Sequence, residues 1–177
     1  MRLLEGFGDR PVILKDFVKS QKHYWREACY IPSASDRKAV ERVMTRFLEL
    51  QGPDLNAGLV FREFVALECR PQEDSNGMPL TREYRVFALD GQPLIVCANG
   101  DADDERDVHP PIEKFGDIMR QVRSRFYTMD LARLVNGEWM VVELGDAQVA
   151  GLPETLKVSE FYTRLQAGLA HLQGLDP

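Results

Sequence analysis

The chain has 177 residues, 44% of them hydrophobic and 28% charged, enough for one domain or two small lobes with a real core. Its formal net charge of −6 argues against general nucleic-acid affinity, and no apolar run approaches the ~20 residues of a membrane helix, so neither nucleic acid nor a membrane is an expected partner. Cys29, Cys69 and Cys97 are odd in number, widely spaced and free of any CxxC pattern, and "MRLLEGFGDR" carries no signal-peptide apolar region; a cytoplasmic, reducing setting is expected, with no disulfide framework or zinc site.

"PVILKDFV" (11–18) reads as a β-rich apolar run interrupted by Lys15 and Asp16, and Lys19, Lys22 and Arg26 follow closely. An apolar strand rarely hosts a lysine without a partner, and a phosphate chain would supply one; an exposed edge strand is the alternative. "SASDRKAVERVMTRFLELQGP" (33–53) reads as a helix, with Ser33 and Asp36 at capping-box spacing, apolar residues at helical period and Gly52-Pro53 as the stop. "GLVFREFVAL" (58–67) is an expected strand, and "RPQEDSNGMPLT" (70–81) is a loop by composition. "REYRVFAL" and "QPLIVCA" flank Asp90-Gly91, an expected hairpin in which Glu83 and Arg85 share a face. "NGDADDERDVHPP" (99–111) is an acidic loop; Asp101, Asp103 and Glu105 resemble the start of a calcium loop, but Arg106 and Ile112 stand where Gly and Glu are required. Residues 111–123 look helical, and "SEFYTRLQAGLAHLQG" (159–174) is an expected closing helix.

Between those helices, "FYTMDLARLVNGEWMVVELGD" (126–146) reads as two strands joined by a two-residue Asn136-Gly137 turn. That register sets Asp130 directly opposite Glu143, with Cβ atoms roughly 5 Å apart. It also places Ala132, Leu134, Trp139 and Val141 on their face, and Met129, Leu131, Met140 and Val142 on the other. Opposed carboxylates in apolar strands are unfavourable unless a shared proton, a nearby Lys or Arg, or a divalent cation offsets them.

No GxxxxGK[ST] or strand-borne GxGxxG is present, and His23, His109 and His171 have no metal-ligand spacing. The element order is an α+β pattern with largely antiparallel strands.

Four ordered phrases, "VILKDFVKSQKHYW", "GLVFREFVALE", "MPLTREYRVFALDGQPL" and "FYTMDLARLVNGEWMVVELGDAQVAGLP", resemble the R2K clade of the ATP-grasp superfamily over about residues 11–153. The resemblance implies an ATP-grasp-like two-lobed fold, mainly antiparallel sheets flanked by helices, with nucleotide held between the lobes. Residues 1–177 would form a single such domain, about 1–57 the smaller lobe and 58–177 the nucleotide- and metal-binding lobe. It implies ATP and Mg²⁺ as cofactors. Lys15 looks like the lysine that reaches the phosphates, with Lys19 and Ser20 in the loop closing over them. Glu63, Phe64 and Val65 resemble the adenine hinge. Glu83 or Glu68 would meet the ribose, and Arg85 the γ-phosphate or an acyl phosphate. Asp130, Glu143 and Asp146 resemble the Mg²⁺ ligands, although this chain reads Glu143-Leu144-Gly145-Asp146 where the family reads Glu-x-Asn. The implied activity is a carboxylate–amine ligase acting through an acyl phosphate on small-molecule or peptide substrates. A non-catalytic nucleotide-binding module and a Mg²⁺-dependent hydrolase are the alternatives. Only ten residues precede "PVILKDF", so a full preceding N-terminal domain is expected to be lacking: the chain is a fragment or a reduced form, or a partner domain or second copy supplies that part.

Overall fold

The computed structural model describes residues 2–73, 78–99 and 108–172. The chain forms two compact units, residues 1–80 and 81–177.

In the first unit a 3₁₀ turn (Arg2–Phe7) leads into β1 (Val12–Lys15). A 3₁₀ turn (Lys22–Tyr24) and a π-helical turn (Trp25–Cys29) then deliver β2 (Tyr30–Ile31). Next come α1 (Arg37–Gln51) and β3 (Val60–Glu63). The strands form an antiparallel sheet in the order β2-β1-β3, so β1 is central. Alternation along β1 buries Val12 and Leu14 completely against Ile31, Val40, Val43 and Phe47, and leaves Ile13 and Lys15 half-buried on the opposite face. α1 starts at Asp36, whose carboxylate accepts the N–H groups of Lys38 (3.0 Å) and Ala39 (3.1 Å), and ends at Gly52, which takes the φ of +49° that a side chain would resist. Ser33, at the other end of the expected capping box, bonds the Ser35 hydroxyl instead. β3 is shorter than the apolar run suggests. The Phe64 N–H still reaches the Pro11 carbonyl, but Pro11 has no N–H to return, and the ladder stops.

Asp16, directly after β1, is fully buried. Its Oδ1 accepts the N–H groups of Val18 (2.7 Å) and Lys19, and its Oδ2 accepts Gln51 Nε2 (2.6 Å) and the Asn56 N–H (3.2 Å). Gln51 in turn accepts from Gln21. These donors, the Lys19 N–H foremost, hold the carboxyl at a pKa of about 2, below its ordinary 3.8. The folded value is the lower one, so this stabilisation is complete above pH 3.8 and disappears as pH falls through 2. Asp16→Asn would aim its amide nitrogen at one pair of donors. Acid unfolding should therefore show the parent losing stability more steeply than the Asn variant between pH 4 and 2, starting from a higher plateau; parallel curves would contradict the assignment.

β4 (Cys69–Glu73) and β5 (Pro79–Thr81) pair with each other, where composition suggested a loop.

The second unit contains β6 (Glu83–Leu89), β7 (Gln92–Ala98), a 3₁₀ turn (Ile112–Phe115), α2 (Gly116–Gln121), β8 (Phe126–Arg133), β9 (Trp139–Asp146) and α3 (Val158–Leu172). The sheet order is β7-β6-β8-β9, antiparallel throughout. Asp90 (φ +46°) and Gly91 (φ +76°) make the expected turn between β6 and β7. Arg125 forks the Asp90 carboxylate at 2.8 and 2.9 Å. On one face Val86, Ala88, Tyr127, Met129 and Leu131 pack against Phe115 and Met119. On the other, Phe87 and Ile95 pack against Leu156 and Phe161. The acidic-loop residues Asp101, Asp103 and Glu105 lie outside the described residues. Among the described residues no helix is long and apolar enough to cross a membrane.

The β8–β9 hairpin differs from the expected one in two ways that cancel. Its turn has three residues, 135–137: the Leu134 N–H donates to the Glu138 carbonyl (2.7 Å), and Gly137 takes a φ of +88°. That displaces the register by one residue through Arg133↔Trp139 and Leu131↔Val141. A bulge in β9 between Val141 and Glu143 then restores it, and Asp130 stands opposite Glu143 as expected. The expected faces of Trp139 and Val141 are corrected by the same shift. Both pack with Met129 and Leu131 on the α2 side.

Candidate functional site

Antiparallel pairing carries one row across all four strands of the second unit: Cys97, Arg85, Asp130 and Glu143. Arg85 lies on a central strand with Asp130 beside it. Its Nε and Nη2 donate to Asp130 Oδ1 (2.9 Å) and Oδ2 (2.7 Å), and its Nη1 to the Gly151 carbonyl (3.0 Å). The side chains are 19% and 6% exposed. Asn99, just beyond β7, donates Nδ2 to the same Asp130 Oδ2 at 3.2 Å. Of the three ways to offset the carboxylate pair, the structure shows an arginine acting on Asp130. The Asp130 hydrogen bonds raise the Arg85 pKa above its ordinary value, with burial opposing them and Glu143 adding a smaller upward pull. Glu143 is exposed and has no hydrogen bond or ion pair among the described residues.

Glu83 lies two residues before Arg85 on the same face, and its carboxylate accepts the Thr81 hydroxyl at 2.7 Å. Asp146 does not join the row. It pairs with Tyr127, one residue out of phase with Glu143, and its Oδ1 accepts the Gln148 N–H (2.9 Å), capping the next turn. Gly145 has the right phase but no side chain, and a Cβ there would stand 2.7 Å from Thr128 Oγ1.

Of the residues expected to hold nucleotide, Lys15, Lys19, Ser20, Glu63, Phe64, Val65 and Glu68 belong to the first unit. Lys15 ends the central strand, bridges to Ser20 and has no ion pair among the described residues. The Asp16 hydrogen bonds shape the loop that contains Lys19. Glu63 is exposed and bonded to Arg10 at 2.6 Å. Phe64 sits edge-on to Tyr30 (5.1 Å) and Trp25 (6.0 Å), which stack on each other at 5.3 Å. Val65 and Glu68 lie between β3 and β4, outside both strands. Burial pushes the Cys29 thiol up to about 12, against the pull of Lys15 and Lys22.

Sequence reasoning missed Asp16, Asn99 and the Gly151 carbonyl. Asp16 reads only as an interruption of an apolar run and Asn99 only as the start of an acidic loop, and neither position announces its partners.

The row suits a hard cation in part. Asp130, Glu143 and the Asn99 amide offer only oxygen to a metal, and Mg²⁺ commonly binds through one or two carboxylates with waters and substrate phosphates. Among the described residues no group of three or more His, Cys, Asp or Glu is placed to hold a metal by itself. Two cavities of about 440 Å³ in this unit lie away from the row, one between β7 and α3, the other beside the β8–β9 turn.

The chain is α+β with antiparallel sheets, the fold class expected from its sequence. The chain matches the ATP-grasp domain, R2K clade family 3, over residues 6–165, and belongs to that family. No curated protein gives a significant match. Among solved structures it is similar to the ATP-grasp ligase PsnB complexed with minimal precursor, at 16% identity and a TM-score of 0.49, covering 95% of this chain and 50% of that one. A PsnB complex with a phosphomimetic precursor variant, Mg and ADP gives 14% identity and a TM-score of 0.49, covering 89% of this chain and 45% of that one. C-terminally truncated Cdc123 from Schizosaccharomyces pombe gives 13% and 0.51, covering 92% of this chain and 70% of that one; the likeness is one of fold. The chain spans about half the length of PsnB.

Proposed function

We propose that this chain binds ATP with Mg²⁺ and joins a carboxylate to an amine. The Arg85–Asp130–Glu143 row carries the reading, supported by membership of the ATP-grasp domain family. Asp130 and Glu143 would hold the metal, with the Asn99 amide beside them. The metal would supply charge neutralisation on the phosphates. Arg85 would orient the transferring phosphoryl group by its planar fork, and Lys15 would bind phosphate as a point charge. Glu63, Phe64 and Val65 would meet the adenine, and Glu83 or Glu68 the ribose.

A substrate carboxylate oxygen attacks the γ-phosphorus and ADP leaves. The amine lone pair then attacks the acyl carbon, inorganic phosphate departs with the bonding electrons, and the amine proton passes to solvent. No protein nucleophile is required, and the protein's part is positioning and charge stabilisation.

The test is ADP release by the full chain with Mg-ATP, over a panel of carboxylates with and without amines. Release that needs both partners supports the ligase reading. Nucleotide binding without turnover on any pair would favour a non-catalytic module, and phosphodiester cleavage with metal alone a hydrolase.

A further inference from the structure

The row is electrically lopsided. Both oxygens of Asp130 are taken, Oδ1 by Arg85 Nε and Oδ2 by Arg85 Nη2 and Asn99, while Glu143 opposite is exposed and unengaged among the described residues. Each of the three Arg85 nitrogens also has an acceptor, since Nη1 reaches the Gly151 carbonyl. A divalent cation arriving alone meets a buried acid already neutralised by a guanidinium that repels the newcomer. A phosphate arriving alone meets a guanidinium whose fork already holds a carboxylate, beside a second carboxylate, Glu143, that makes no hydrogen bond or ion pair among the described residues.

We infer that Arg85 is a coupling residue: it holds Asp130 until a divalent cation and a phosphate bind together, and the carboxylate then passes to the cation while the guanidinium passes to the phosphate. This rests on the Mg-nucleotide reading of the row. A bidentate, partly buried pair is broken at a loss unless both members regain a charged partner, so exchange favours the joint event over either single one. Cation and nucleotide then tighten each other by the same factor. Asn99 keeps Asp130 oriented when Arg85 leaves.

The test uses the full chain and Mn²⁺ as a spin probe, measured by water-proton relaxation with and without ADP and corrected for Mn–ADP free in solution. In the parent, Mn²⁺ alone should bind weakly, and ADP should tighten it at least tenfold. Arg85→Gln should bind Mn²⁺ alone at least tenfold more tightly than the parent and lose most of the ADP enhancement. Arg85→Lys keeps the charge and the stem but cannot fork both oxygens, so it should fall nearer the Gln variant and serves if the Gln variant does not fold. Variants with parental Mn²⁺ affinity overturn the inference, as does an Arg85→Lys chain that matches the parent while only Arg85→Gln tightens, because net charge alone would explain that pattern. A parent that binds neither Mn²⁺ nor ADP, singly or together, removes the Mg-nucleotide reading itself. A parent that binds both without mutual enhancement removes only the exchange.

Discussion

Asp130→Ala should lower the stability of the second unit by about 3 kcal/mol, the lower end for breaking a buried pair because Arg85 keeps some contact with water. The loss comes from what stays behind. Two guanidinium nitrogens and the Asn99 amide lose their acceptor in the middle of a four-stranded sheet. Glu143→Gln, directly across the ladder, should change stability by no more than about 0.5 kcal/mol, since its carboxylate is exposed. The same substitution should abolish stabilisation by Mg-ATP. Denaturant unfolding of both variants, repeated with Mg-ATP, separates the two acids. Near-parental stability in Asp130→Ala would mean that the ion pair contributes little. Parental Mg-ATP stabilisation in Glu143→Gln would take Glu143 out of the metal set.

Gly145→Ala should destabilise by about 2 kcal/mol through overpacking alone. The added Cβ would stand 2.7 Å from Thr128 Oγ1, and Thr128 is buried, so it has little room to give. Thr128→Ala clears that oxygen. The double variant should therefore be more stable than the two single losses added together, and a thermodynamic cycle measures the coupling. Additive losses would show that the two positions do not meet. The pair also explains why the third expected ligand is missing from this face: the position in phase with Glu143 has no space for a side chain.

Local rules read well wherever the controlling residues are neighbours in sequence. Asp90-Gly91 sets its turn because both residues accept positive φ, and α1 announces itself through its apolar period and its Gly52-Pro53 stop, although Asp36 alone is its cap and the expected Ser33 end of the capping box takes no part. The Asp130–Glu143 pairing was legible from Asn136-Gly137 although the turn is longer than expected, because the β9 bulge cancels the displacement. Nothing in the sequence signals that bulge, so the faces of Trp139 and Val141 were misread. The Arg85–Asp130 fork spans 45 residues and depends on how β6 meets β8, which no local pattern specifies. Asp16 has the same character: its partners Gln51 and Asn56 arrive from the far end of α1 and beyond, and only with them does it become the buried organiser of the loop after Lys15.

The most direct test of the Mg-nucleotide site is thermal unfolding of the parent chain with ATP alone, Mg²⁺ alone and both together. At 100 times its Kd a ligand adds roughly 2.7 kcal/mol, a rise of several degrees for a chain of this size. A shift that requires ATP and Mg²⁺ together is the expected result, with little change from either alone. A shift with Mg²⁺ alone, or none at saturating Mg-ATP, would contradict it.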